Sequence, residues 1–338
     1  MQTEDGSTGR LLQLCSAYFV AYVVTGVSLK YFQGSVEAGF PGVPDPAFLV
    51  YSSTGGCLLC LVVVFARGWH RFEGSWRLAL PIVPSGICTA IVIPTTTVIY
   101  SFPISVMVAM VVMRGSIIVV SRLVDEVQIR QGLLKKQVVW EENVAVVFSL
   151  GAVAVHLWWD PSAALTGSPV AIAVLASYVG AYAIRIYLMN WFKNRGLVGL
   201  DNRTWFGIEQ LVATGVLVLA LGVAVASSSA QPFVAAVRGA VLSPHPAWAP
   251  AMLAGTAYGL VAFFSVFIFM FKGRTATFAG LANRLTSLVA GTFGTLLFAV
   301  GFGGKYPKPA DWFSLGLIFV AVAFLTRAER RRTRVAAA

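Results

Sequence analysis

The chain alternates long apolar stretches with short polar segments, and the apolar stretches have the length of membrane spans. Apolar windows of roughly 17–25 residues are typical of transmembrane helices. Composition agrees, because 57% of the 338 residues are hydrophobic and only 12% are charged. The pattern predicts an all-α integral membrane protein with ten transmembrane helices and little room for a soluble domain. The predicted spans are residues 11–30, 47–66, 78–98, 102–121, 139–158, 168–190, 204–226, 249–271, 276–300 and 312–328.

The segments between the spans are short, with two exceptions. Gln231–Ala249 is a long external segment containing proline, and Asp125–Val138 has the mixed composition of an interfacial connection. Gly255-x-x-x-Gly259 in the eighth span is typical of a helix face that packs closely on another helix. Interruptions of the third span are predicted at three prolines, Pro81, Pro84 and Pro94.

The distribution of cations predicts the orientation. With the termini and the even-numbered loops on one side, that side carries eighteen Lys and Arg residues and the other side carries four. Because positive loops stay inside, we expect a multi-pass protein of the inner membrane with both termini cytoplasmic. The basic tail is then an anchor at an anionic leaflet, and no nucleic-acid partner is expected. The remaining three of the 25 cations lie inside spans: Arg114, Arg185 and Arg284.

The residues that usually carry enzymatic or metal chemistry are sparse. Cys57-x-x-Cys60 has the spacing of a redox or metal pair, but it lies in an apolar span with no histidine nearby, which favours a structural role. Hydrolytic chemistry needs paired groups with opposed pKa values, and few acids or histidines fall inside the spans. The sequence therefore predicts neither an enzyme nor a metal or cofactor site.

Charged residues inside the spans are the strongest functional candidates. A central intramembrane arginine costs at least ~2.5–3.5 kcal/mol on insertion scales and normally faces a bundle interior or a water-filled cavity. Arg114 and Arg284 lie too deep to reach the surface easily, whereas Arg185 lies near a helix end and could extend to it. Glu209 is the only acid well inside a span. If it pairs with one arginine, a guanidinium remains for an anion such as phosphate or carboxylate.

Further candidates surround these charges. Ser116, Gln210 and Asn283 are polar residues close in sequence to an intramembrane charge, and Tyr178 and Tyr182 are placed to line a cavity. We predict that these five, with Arg114, Arg185, Glu209 and Arg284, form the substrate site, with Glu209 as its proton-linked or charge-balancing residue. The alternative is structural, with arginines capping helix carbonyls and tyrosines packing between helices.

The chain divides into halves of five spans, residues 1–160 and 161–338, the second with a basic cytoplasmic tail. An odd number of spans in each half makes the second half inverted in the membrane. Two alignments remain open, one placing Arg122 against Arg284 and the other placing Arg114 against Arg284. Either alignment favours alternating access across the membrane over enzymatic chemistry.

One segment resembles a known family. SVMVAMVVMRGSIIVVSRLVDEV, followed by a basic turn and the apolar run 144–155, is similar to the fourth and fifth helices of the drug/metabolite transporter superfamily, in its EamA and nucleotide-sugar-transporter-like branch. The resemblance implies a ten-helix carrier with two inverted repeats around a central cavity. It does not extend to the identity of the substrate.

The sequence thus predicts a secondary transporter for a small anionic organic metabolite, surrounded by the bilayer and compatible with a homodimer. A second hypothesis is a flippase for a lipid-linked phosphate, whose binding would require the acyl chain. A third is a non-catalytic subunit of a membrane complex.

Overall fold

The chain is helical throughout the part described by the computed structural model, which comprises residues 7–71, 79–100, 106–134, 138–159, 169–195, 201–304 and 306–337. No strand is present in these ranges. The described helices are α1 (Thr8–Gln33), α2 (Asp45–Ala66), α3 (Ile82–Tyr100), α4 (Val106–Arg130), α5 (Trp140–Trp159), α6 (Pro169–Arg195), α7 (Asn202–Ala226), α8 (Pro232–Leu242), α9 (Trp248–Phe269), α10 (Ala276–Phe302) and α11 (Pro309–Ala337).

Seven of these helices, α1, α2, α6, α7, α9, α10 and α11, are long and apolar enough to cross a bilayer. The prediction of an all-helical, multi-pass membrane protein is therefore confirmed. Each of the ten predicted spans overlaps a helix, while the number that cross the membrane stays a prediction. The long segment Gln231–Ala249 between two predicted spans contains the short helix α8.

Side-chain caps explain where several helices begin. The side chain of Ser7 accepts from the amide of Arg10 at the start of α1, and Asp201 accepts from the amides of Arg203 and Thr204 at the start of α7. Such acceptors satisfy amides that have no carbonyl partner in the first turn of a helix.

The predicted interruptions of the third span are wrong, because α3 runs unbroken from Ile82 to Tyr100. Pro81 precedes the helix and Pro84 lies in its first turn, where an amide hydrogen would have no intrahelical acceptor. Pro94 lies inside the helix. Beside it the hydroxyl groups of Thr95 and Thr96 donate to carbonyls of the preceding turn, each at 2.7 Å.

The glycine motif in α9 packs as predicted. Gly255 and Gly259 face α2 so closely that a Cβ added at Gly259 would lie 2.6 Å from the carbonyl oxygen of Gly56. A Cβ at Gly255 would collide with the backbone of Ser52. Glycine is required here because only its missing side chain allows the two backbones to approach.

The first and last helices meet at one end of the bundle. The hydroxyl of Thr8 donates to Glu329 Oε1 at 2.9 Å, and Glu329 also pairs with Arg274. We call this the terminal end, and we call the opposite end, which carries Lys30 and Lys308, the mouth end. Helix α1 runs from the terminal end toward the mouth end. Helix α6 runs the other way, since Lys193 near its C-terminus donates to the carbonyl of Phe269 at the terminal end.

The packing partners of the long helices form matched sets. The long helices divide by chain order into two sets of five, so that the counterparts of α1, α2, α3, α4 and α5 are α6, α7, α9, α10 and α11. Helix α1 packs on α9 and α10, and its counterpart α6 packs on α3 and α4, which are the counterparts of those two. Likewise α2 packs on α9 while α7 packs on α3, and α5 packs on its own counterpart α11. The exchange of the two five-helix sets therefore preserves the main contacts of the bundle.

Candidate functional site

A cavity of about 680 Å³ lies between the helices and reaches from the middle of the bundle to the mouth end. Its deep part is lined by Arg114, Arg185 and Arg284. Near the mouth end, Lys30 and Lys308 line the same cavity. The three intramembrane arginines, separated in sequence by up to 170 positions, thus face one space.

Arg114, in α4, is held by a tyrosine of α1. Its guanidinium lies over the ring of Tyr22, 4.7 Å from the ring centre, and its Nη2 donates to the Tyr22 hydroxyl. The residue is 3% exposed, and its buried Nη1 has no hydrogen-bond partner in the part of the chain that the structure describes. One donor of a permanently charged group is therefore available for a ligand.

Arg284, in α10, has a matching environment built by α6. Its guanidinium lies 4.7 Å from the ring centre of Tyr182. Its Nε and Nη2 are both buried without a hydrogen-bond partner, and no ion pair with it occurs among the described residues. Nε and one Nη form the edge of a guanidinium that binds a carboxylate or phosphate at two points. Arg284 therefore offers a two-point site for an anion.

Arg185 is neutralised by the buried acid. Its Nε donates to Glu209 Oε1 at 2.8 Å and its Nη2 donates to Oε2 at 3.1 Å. Oε1 of Glu209 also accepts from the hydroxyls of Ser85 at 2.5 Å and Thr89 at 3.2 Å. Of the three intramembrane arginines, Arg185 is therefore the one that pairs with Glu209. Arg185 does not extend to a helix end, because it is only 4% exposed and is held by this carboxylate.

Two tyrosines from each half line the deep cavity. Tyr18 and Tyr22 lie one turn apart on α1, with ring centres 5.6 Å apart, and Tyr178 and Tyr182 lie one turn apart on α6, with ring centres 4.9 Å apart. The local sequences AYFVAY (17–22) and SYVGAY (177–182) share this spacing. The Tyr18 hydroxyl lies close enough to the guanidinium groups of Arg114 and Arg284 to interact with both electrostatically. Sequence reasoning missed Tyr18 and Tyr22, although the repeated spacing was a visible signal.

The other predicted site residues occupy different positions. Gln210 lines the cavity, and its buried Nε2 has no hydrogen-bond partner. Asn283 is not among the described residues that line the cavity. It accepts from the Tyr18 hydroxyl at 3.4 Å and donates to Ser265 at 3.1 Å. Because Tyr18 and Ser265 both line the cavity, Asn283 positions two lining residues. Ser116 is also outside the described lining, and its hydroxyl donates to the carbonyl of Val112 in its own helix at 2.8 Å.

Cys57 and Cys60 both line the cavity and are free thiols. The Cys60 thiol donates to the carbonyl of Gly259 at 3.6 Å, as a residue in a packed helix interface would. Among the described residues, no three side chains of His, Cys, Asp or Glu lie together as metal ligands.

The terminal end of the bundle is closed by polar contacts. Asp125 of α4 accepts from the backbone amides of Ala276 and Thr277 at the start of α10, at 2.8 and 2.6 Å. Asn190 of α6 donates to Asp125 and to Gln128, at 3.3 and 2.8 Å. Asp125 is fully buried. The expectation that an interfacial connection begins at Asp125 is therefore wrong, since α4 continues to Arg130 and its last turns join three helices.

Comparison with known proteins gives a similarity of fold. No family model and no curated protein matches the chain. Among solved structures, the chain is similar to one crystal structure, whose description says only that it is a protein. The alignment covers 96% of this chain and 100% of the other chain, at 14% sequence identity and a TM-score of 0.55. At that identity the match concerns the fold alone.

Proposed function

We propose that this protein is a secondary transporter that binds a small organic anion between Arg114 and Arg284 and carries it across the membrane by alternating access. The observation that carries the proposal is the pair of buried guanidinium groups at the base of one cavity, each with donors that have no partner among the described residues. Isolated buried charge is costly unless it is paired. A bound anion would supply the missing partner.

The arrangement of the helices supports transport. The matched packing of two five-helix sets, with α1 and α6 running in opposite directions, is what two inverted repeats of five spans would produce. The two arginine–tyrosine pairs follow the same correspondence, since α1 and α4 hold one pair and α6 and α10 hold the other. A binding site between inverted repeats is the usual location of a transporter substrate.

The shape of the cavity supports the same mechanism. It is open at the mouth end and stops below the contacts of Asp125 at the terminal end. A carrier that exposes its site to one side at a time needs one closed end and one open end. On the orientation expected from the loop charges, this conformation faces away from the cytoplasm of an inner-membrane protein.

These features also support assignment of the chain to the drug/metabolite transporter superfamily, as a proposal. The segment around Met113-Arg114-Gly115 resembles that family, and the cavity lies where such a carrier would hold its substrate.

The test is a thermal-shift screen of the purified protein, in which each organic carboxylate or phosphate is compared with its uncharged amide or alcohol. A ligand that binds only the native state raises its stability by mass action. We expect anions to raise the melting temperature and their uncharged partners to have no effect. Stabilisation by uncharged compounds alone, or by none of the anions, would contradict the proposal.

A further inference from the structure

The cavity contains a second group of cations, at its mouth end. Lys30 Nζ donates to Thr295 Oγ1 at 2.9 Å and lies 5.8 Å from the centre of the Phe298 ring. In the described part of the chain, no ion pair involves Lys30. Lys308 lines the cavity at the same end. The positive charge of the site therefore extends beyond the deep arginines.

Acids offset only part of this charge. Glu209 is engaged by Arg185. Asp311 accepts from the backbone amide of Lys308 at 2.7 Å at the start of α11 and also attracts Lys30 electrostatically. Five cationic side chains line the described cavity, with these two acids in or beside it. A single carboxylate would therefore leave a positive surplus.

The two cationic groups lie at different depths. On α1, Lys30 follows Tyr22, the partner of Arg114, by eight residues, which corresponds to ~12 Å along a helix. On α10, Thr295, the partner of Lys30, follows Arg284 by eleven residues, or ~16 Å. Small or apolar residues line the cavity between these levels, among them Gly26, Gly291 and Leu29. The space between the two groups of cations thus suits an uncharged group.

We infer that the ligand carries two anionic groups at opposite ends of an uncharged body, separated by roughly 12–16 Å. One anionic group binds Arg114 and Arg284, and the second binds Lys30. This inference rests on the proposed function, because it takes the deep arginines as the first anchor. It adds a substrate class, namely elongated dianions such as long dicarboxylates or bisphosphonates.

The experiment compares two homologous series by calorimetric titration of the purified protein. The first contains α,ω-dicarboxylates and α,ω-bisphosphonates whose extended lengths bracket the separation of the two levels. The second contains compounds of the same length with a hydroxyl in place of one acid. Because a charge-assisted hydrogen bond is gained, dianions of matching length should bind about tenfold tighter than their monoanionic partners. Shorter dianions should show no such advantage.

Variants identify the residue responsible. Lys30→Gln should abolish the advantage of the dianion over the monoanion, whereas Lys30→Arg should retain it. The matched control is Lys272→Gln, which removes an exposed charge at the terminal end, far from the cavity, and should change neither affinity.

The outcomes separate this inference from the proposed function. If monoanions bind and a second acid adds nothing at any length, or if Lys30→Gln weakens both series equally, the inference is overturned while the transporter proposal stands. If no anion of either series binds, both fail.

Discussion

Arg284 lies over the ring of Tyr182, with its guanidinium carbon 4.7 Å from the ring centre, and this contact leaves the edge of the guanidinium free. The ring face of Tyr182 stabilises the cation by cation–π attraction. Arg114 and Tyr22 repeat the ring contact from the other half of the chain at the same 4.7 Å, although Arg114 also donates from Nη2 to the Tyr22 hydroxyl. Two oriented cations thus face one cavity.

The pair Arg185–Glu209 should be a determinant of stability. Glu209→Gln removes the charge opposite a guanidinium that is 4% exposed, and loss of one partner of a buried pair typically costs about 3–5 kcal/mol. We expect a clearly lower melting temperature in detergent. Ser85→Ala, which removes one neutral donor to the same carboxylate, should cost less, since the carboxylate keeps three of its hydrogen bonds. An unchanged melting temperature for Glu209→Gln would contradict the structural importance of this pair.

The contact between α2 and α9 should tolerate no added methyl group. Gly259→Ala places a Cβ against the carbonyl of Gly56, so the helices must separate and the protein should lose stability. Gly222→Ala in α7 is the matched control, because nothing lies within 4 Å of its Cβ position and alanine is favoured over glycine in a helix by roughly 0.5–1 kcal/mol. Thermal melting should move in opposite directions for the two variants. An unchanged or raised melting temperature for Gly259→Ala would mean that α2 and α9 do not pack this closely.

The closure of the terminal end should depend on Asp125. Asp125→Ala removes the acceptor for the amides of Ala276 and Thr277, and loss of a helix cap costs about 0.5–2 kcal/mol. Hydrogen exchange at the first turn of α10 should become faster. Asp201→Ala, which removes the exposed cap of α7, should accelerate exchange only at that helix. Unchanged protection of Ala276 to Phe278 in Asp125→Ala would show that the terminal end is closed by other contacts.

The topology can be tested with reporters fused to each terminus. Because Thr8 and Glu329 meet at one end of the bundle, both reporters should be active in the same compartment. The excess of Lys and Arg on that side predicts that this compartment is the cytoplasm. Reporters active on opposite sides of the membrane would contradict the fold, and two external reporters would contradict the orientation alone.

Much of the helical architecture was predictable, because hydrophobic length alone locates membrane helices. The depth of Arg114 and Arg284 in apolar spans also marked them as candidates, since burial of charge is costly. The sequence does not predict which arginine forms an ion pair with Glu209, because Arg114, Arg185 and Arg284 all lie inside spans and each could pair with a single acid. The choice depends on α6 and α7 bringing Arg185 and Glu209 together.

Other parts of the site depend on long-range packing that sequence spacing does not reveal. Lys30 looked like an ordinary cation at the end of a span, and only the folded bundle shows that it lines the cavity. Asp125 looked like part of a surface connection, yet it is buried against the start of α10, 151 positions later. By contrast, the repeated spacing of Tyr18, Tyr22, Tyr178 and Tyr182 was visible in the sequence and could have indicated the paired sites.

The central claim, that Arg114 and Arg284 bind the anionic part of the substrate, is tested most directly by lysine substitution. Affinity for the strongest stabilising anion would be measured in Arg114→Lys, Arg284→Lys and the control Arg122→Lys, which alters a half-exposed arginine paired with Glu126 at the terminal end. Lysine keeps the charge but loses the planar contact, so both cavity variants should weaken binding, by up to roughly 1.5–3 kcal/mol if the charged hydrogen bonds are lost entirely. The control should bind like the parent. If all three variants fold and bind the anion as tightly as the parent, these arginines are structural and the anion-transport account is wrong.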